Sequence, residues 1–82
     1  METVNLNNEL INSYLDISSR LARLPVGQVW ADYDREVDVL YLSFRKPQRA
    51  KKTVEIGDDV LIRTDDDDEV VGITVLNASS RA

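Results

Sequence analysis

Three groups of residues carry enough charge to be read for chemistry. The first is Asp34, Glu36 and Asp38, alternating along V-W-A-D-Y-D-R-E-V-D-V-L-Y-L-S-F, residues 29–44. Paired carboxylates work as acid and base only where burial or mutual repulsion separates their pKa values. These three flank a short polar link, where water reaches them. A structural role fits better: Asp34 bonds turn N–H groups, and Asp38 pairs with Arg35 or Arg63. The second group is the acidic run Asp65 to Glu69. Calcium takes about six to eight oxygens, and the run lacks the spaced D-x-D-x-D-G geometry of a calcium loop. It reads as a solvated turn, with weak, nonspecific divalent binding as the alternative. The third is Arg45, Lys46, Arg49, Lys51 and Lys52, half of the ten basic residues. Each neutralised phosphate adds affinity for nucleic acid. No aromatic residue interleaves the cluster to stack bases, and the formal net charge of −5 opposes a polyanion. A solvated loop, or a patch for an acidic protein partner, fits better than nucleic acid.

The chain contains no histidine and no cysteine. The commonest general base at neutral pH is therefore missing, as are thiolate metal sites and disulfides. Ser43, Ser79 and Ser80 have no histidine to activate them, and no glycine-rich phosphate loop exists. No catalytic, cofactor-binding or metal-ligating residue is assigned, no cofactor is expected, and enzymatic activity is not expected.

These residues must be positioned by a small set of elements. Residues 6–24 have a helical period: Leu6, Leu10, Tyr14, Ile17, Leu21 and Leu24 form one stripe, widened by Ile11 and Leu15. Asn7 or Asn8 caps the start, Arg20 and Arg23 complement the dipole at the end, and Pro25 with Gly27 stops the helix. Such a helix either covers its own sheet, the commoner case, or serves a partner or a membrane surface. The first reading predicts that Leu10, Tyr14, Ile17 and Leu21 are buried.

A strand over 28–33 and another over 37–44 are joined by a link short enough only for an antiparallel hairpin. The basic loop with Pro47 interrupts any strand. Residues 53–64 follow, with Gly57-Asp58 in the middle; they form one bent strand with a bulge or two short strands around a turn. The bent strand is the working expectation. A full reversal at Gly57-Asp58 would instead carry the acidic turn 65–68 beside the basic loop. The last strand runs over 69–76, and 77–82 reads as a polar tail. Alternation places Val29, Ala31, Tyr33, Leu40, Leu42, Val60, Ile62, Val71, Ile73 and Val75 on one face, which the helix should cover. The other face collects Trp30, Asp32, Val39, Tyr41, Leu61, Arg63, Gly72 and Thr74.

Two stretches carry a resemblance. Tyr33-Asp34-Arg35-Glu36-Val37-Asp38-Val39-Leu40-Tyr41-Leu42 resembles the Y-D-x-E-x-D-x-L-Y-L pattern of a small prokaryotic family, numbered 2283 among the domains of unknown function. Val71-Gly72-Ile73-Thr74-Val75-Leu76-Asn77-Ala78-Ser79 is similar to its closing V-G-I-x-x-L-x-A-S pattern. The resemblance covers about residues 28–80. It implies a small, mostly β protein with no assigned catalytic residues, and, through genes found beside candidate toxins, an antitoxin-like or partner-binding role. Two departures stand out: the helical extension 1–24, and Asp68 at a turn position where the pattern usually has glycine. Asp68 is therefore expected at positive φ.

With 82 residues the chain is read as a single domain, 1–82, made of the helical extension 1–24 and a sheet region 28–80. No apolar run approaches the roughly 18 residues of a membrane span, and the first residues lack the features of a signal peptide; a cytoplasmic location is expected. The expected fold is α+β, with the N-terminal helix packed on a four-stranded, mostly antiparallel meander. The expected function is a noncatalytic protein–protein interaction module, antitoxin-like and self-associating. A small-ligand or divalent-metal-binding protein with weak hydrolytic activity is the alternative. One helix covers one side of a sheet, so Trp30, Val39, Tyr41 and Leu61 on the other side are the expected homodimer interface.

Overall fold

The computed structural model describes residues 7–80. Leu6 of the apolar stripe, the start of the extension and the last two residues of the tail lie outside the described residues. Helix α1 is Asn8–Ala22. Asn7 caps it, its side-chain oxygen accepting from the Leu10 N–H at 3.1 Å. Arg20 in the last turn donates to Asp16 one turn earlier, at 3.2 Å. The helix ends as the Leu24 N–H reaches the Leu21 carbonyl and Pro25 forbids another turn.

Five strands follow: β1 (Trp30–Asp34), β2 (Val39–Ser43), β3 (Lys52–Ile56), β4 (Val60–Thr64) and β5 (Val70–Leu76). The expected count of four is corrected at Gly57. With φ of +65° it takes a left-handed conformation open to glycine, and residues 57–59 reverse the chain fully. Residues 53–64 therefore form a hairpin rather than one bent strand. The sheet is antiparallel throughout, in the order β1-β2-β5-β4-β3. It is not the simple meander expected. The β1–β2 hairpin and the β3–β4–β5 meander meet along β2 and β5, and residues 44–51 cross from β2 to the far edge.

That crossing explains Gly72. It sits in central β5, opposite Ser43 and Arg63. A Cβ there would collide with the Gln48 side chain and lie 3.0 Å from the Leu42 carbonyl oxygen. Gln48 is anchored in turn by donating to Ser43 Oγ at 3.2 Å. On β5, Val71 is an extra residue between the pairs Arg63–Gly72 and Thr64–Val70, a β-bulge. Its carbonyl accepts from the Phe44 N–H at 2.9 Å, and its side chain is only 1% exposed.

The register confirms the two faces read from alternation. Ala31–Leu42, Tyr33–Leu40, Leu42–Ile73, Leu40–Val75, Val75–Val60 and Ile73–Ile62 pair on one face, and β3 adds Val54 and Ile56. The helix does not bury that face or itself. Leu10, Tyr14, Leu15, Ile17 and Leu21 are all exposed, Tyr14 by 59%, which overturns the expected burial of the stripe. The connector comes nearer the sheet: Leu24, Pro25, Val26 and Gly27 line a 570 Å³ groove with Phe44, Val70, Val71 and Ile73. Among the described residues the only buried apolar side chains are Val39 and Val71.

Candidate functional site

Asp38 is the most densely bonded carboxylate of the first hairpin. It stands at φ 55°, where aspartate is tolerated better than most residues. That turns its side chain toward the end of the chain rather than toward arginine. Oδ1 accepts from Tyr33 Oη at 2.6 Å and from the Ser79 N–H at 3.0 Å. Oδ2 accepts from Ser79 Oγ at 2.7 Å, and the Asp38 carbonyl accepts from the Ala78 N–H. The hydrogen bonds from Tyr33 and Ser79 hold the Asp38 carboxyl below the usual carboxylate range. The same bond to a carboxylate pushes the Tyr33 hydroxyl up. This corrects one expectation: Asp38 bonds Tyr33 and Ser79 rather than Arg35 or Arg63. Within the polar stretch after β5, Ala78–Ser80 is a 3-10 turn clasped to the hairpin.

Asp34 does what its turn position requires, accepting from the Glu36 N–H at 3.0 Å. The Arg35 guanidinium stands 6.0 Å from the Tyr33 ring centroid. Tyr33, Asp38 and Ser79 thus form a clasp linking the two stretches that carry the family resemblance. Serine and tyrosine oxygens here donate to the Asp38 carboxylate, which ties the two stretches together. Sequence reasoning missed the roles of Tyr33 and Ser79. The available signal was that a polar residue from each stretch must find a partner once β2 and β5 pair.

The acidic run is a turn that bonds itself. Asp65 Oδ1 accepts from the N–H groups of Asp67 and Glu69, at 2.9 and 3.0 Å. Its other oxygen accepts from Arg45 at 2.9 Å, and Glu69 takes a longer bond from the same guanidinium. Arg45 and these N–H groups hold the Asp65 carboxyl below its ordinary value. Lys52 Nζ donates to Asp68 at 2.8 Å, which pushes the Lys52 ammonium up. Asp68 has the expected positive φ, 62°. The reversal at Gly57 thus places the acidic turn against the basic loop, and opposite charges neutralise each other there. Among the described residues no group of three or more carboxylates is placed to hold a metal ion.

The four expected interface residues share a face but differ in accessibility. Val39 is buried at 6%. Trp30 is half-buried, with Lys46 Nζ 5.9 Å from its ring centroid, and it lines an open 450 Å³ cleft with Asp32, Ser43 and the crossing segment. Leu61 is half-buried. Tyr41 alone is largely open, at 47%. No described helix is long and apolar enough to cross a membrane.

The chain belongs to the family described as "Protein of unknown function (DUF2283)", whose match spans residues 30–79 and so takes in all five strands and the clasp. It is also similar to a curated relative, "Uncharacterized protein MJ0789" of Methanocaldococcus jannaschii. The two are 46% identical over 52 residues, which is 63% of this chain and 43% of the relative. The chain thus spans less than half the length of that relative. No solved structure matches.

Proposed function

We infer that the chain is a noncatalytic protein–protein interaction module that associates with itself. One observation carries this reading: a protomer leaves its apolar residues uncovered on two elements, with only Val39 and Val71 as buried apolar side chains among the described residues. A fold is normally stabilised by burying apolar area. A sheet with one apolar face open and a helix with its stripe open are short of that stabilisation. Obligate oligomers have this character, since their protomers are not stable alone.

The alternative is a ligand- or metal-binding protein with weak hydrolytic activity. The cleft beside Trp30 has Asp32 as its one carboxylate, facing Arg45 and Lys46. An antitoxin-like role is the most specific form of the interaction reading and rests on the family resemblance; a pull-down with mass-spectrometric identification tests it. Self-association is tested by sedimentation equilibrium across the micromolar range. A concentration-dependent dimer is expected, and a folded monomer throughout overturns the reading.

A further inference from the structure

We propose that α1 of each protomer lies on the open apolar sheet face of a second copy, in a reciprocal, twofold, helix-exchanged dimer. This rests on the self-association reading above and names its geometry. The helix supplies one half of the contact. Leu10, Tyr14, Ile17 and Leu21 follow the spacing of one helical face, and all are exposed. Fifteen residues are close to the length at which an isolated helix is marginal in water, so the stripe needs a surface to lie on.

The sheet supplies the other half. Tyr33, Val54 and Ile56 are exposed, and Leu40, Leu42, Val60, Ile62, Ile73 and Val75 are half-buried on the same face. The dimensions agree. A 15-residue helix is about 22 Å long, and five strands spaced about 4.8 Å apart span roughly 19–24 Å.

Area points to a second copy. The accessible surface is 6931 Å², whereas a compact chain of this mass exposes about 5,000 Å². The excess, on the order of 2,000 Å², exceeds the roughly 800 Å² per partner of a standard stable interface. The radius of gyration, 15.2 Å, likewise exceeds the roughly 12 Å of a compact chain this long. A second copy brings a matching helix and a matching face at once, so one twofold axis satisfies all four surfaces. The connector favours exchange over folding back. Leu24 to Gly27 form one wall of the groove beside Val71 and Ile73, and from there α1 leads away without packing along its own sheet.

The chain has no cysteine, so introduced thiols report without ambiguity. Ile17→Cys is made in one tagged copy and Ile62→Cys in a copy with a different tag. The two are unfolded, refolded together and oxidised, beside sedimentation of the wild type. Expected are a wild-type dimer and a disulfide joining the two tags. Where Ile62→Cys does not fold, Val54→Cys on the same face takes its place. A wild-type dimer without the cross-chain disulfide overturns the exchange and leaves self-association standing through another surface, such as the Trp30 face. A wild-type monomer overturns both. A disulfide that forms only within a chain carrying both cysteines shows the helix folding onto its own sheet and overturns the exchange.

Discussion

At Asp38 the backbone and the side chain act together. Positive φ turns its carboxylate toward the chain end, where Tyr33 and Ser79 donate three hydrogen bonds. Those bonds lower its folded-state pKa, so they favour folding above the unfolded value of about 3.9. The contribution is lost as pH falls from there through the lower folded value. Asp65, held low by Arg45, adds a second acid-labile contact in the same window. Asp38→Asn keeps tolerance of positive φ and removes the charge. It is expected to lower the urea midpoint at neutral pH, and to lower it by less at pH 3, below the unfolded value. An equal loss at both pH values would assign the effect to shape rather than charge. Asp68 also stands at positive φ, but in an exposed turn where its bond to Lys52 contributes little. Asp68→Gly is therefore expected to be neutral or stabilising by about 0.5–1 kcal/mol at most, through relief of backbone strain. A clear loss in urea denaturation would show that the Lys52 contact outweighs the strain.

Strands were legible from the sequence to the extent that a period of two determines them. Alternation gave both faces, and the β1–β2 pairing followed from a link too short for anything else. The reversal at Gly57 was not legible, because a glycine at positive φ serves a bulge and a turn equally well. The clasp was hidden for another reason: Asp38 and Ser79 are distant in sequence and meet only because β5 docks beside β2. The helix shows a third limit. Leu10, Tyr14, Ile17 and Leu21 announce an apolar face but not the surface it meets, and the side chains stay open. The crossing segment is held where Gly72 gives Gln48 room. Gly72→Ala is expected to destabilise by about 1–3 kcal/mol, as overpacking does. In a Gln48→Ala background the cost should shrink, and a double-mutant cycle of urea midpoints measures the coupling. An unchanged cost would place the strain on the Leu42 carbonyl instead.

On the scale of the whole molecule, charge and apolar surface make opposite demands. Basic and acidic loops are joined through Arg45–Asp65, Arg45–Glu69 and Lys52–Asp68, so two of the five basic residues of the cluster are paired within the chain. Asp34, Glu36, Asp58 and Asp59 lie in or beside the turns at the opposite end of the sheet, and the net charge is −5. In the proposed dimer two copies repel at long range, and burial of their apolar faces has to overcome that repulsion on contact. Salt separates these effects. Between 0.1 and 1 M the screening length falls from about 10 to about 3 Å, which weakens repulsion between like-charged protomers and leaves apolar burial in place. Self-association is expected to become several-fold tighter over that interval, read as the sedimentation dissociation constant in sodium chloride at constant pH. Weaker association in salt would mean that attraction between opposite charges holds the copies together. The contact would then have to involve the basic loop, with Lys46, Arg49 or Lys51 reaching the acidic end of the other copy. The open apolar face would be left for a different partner.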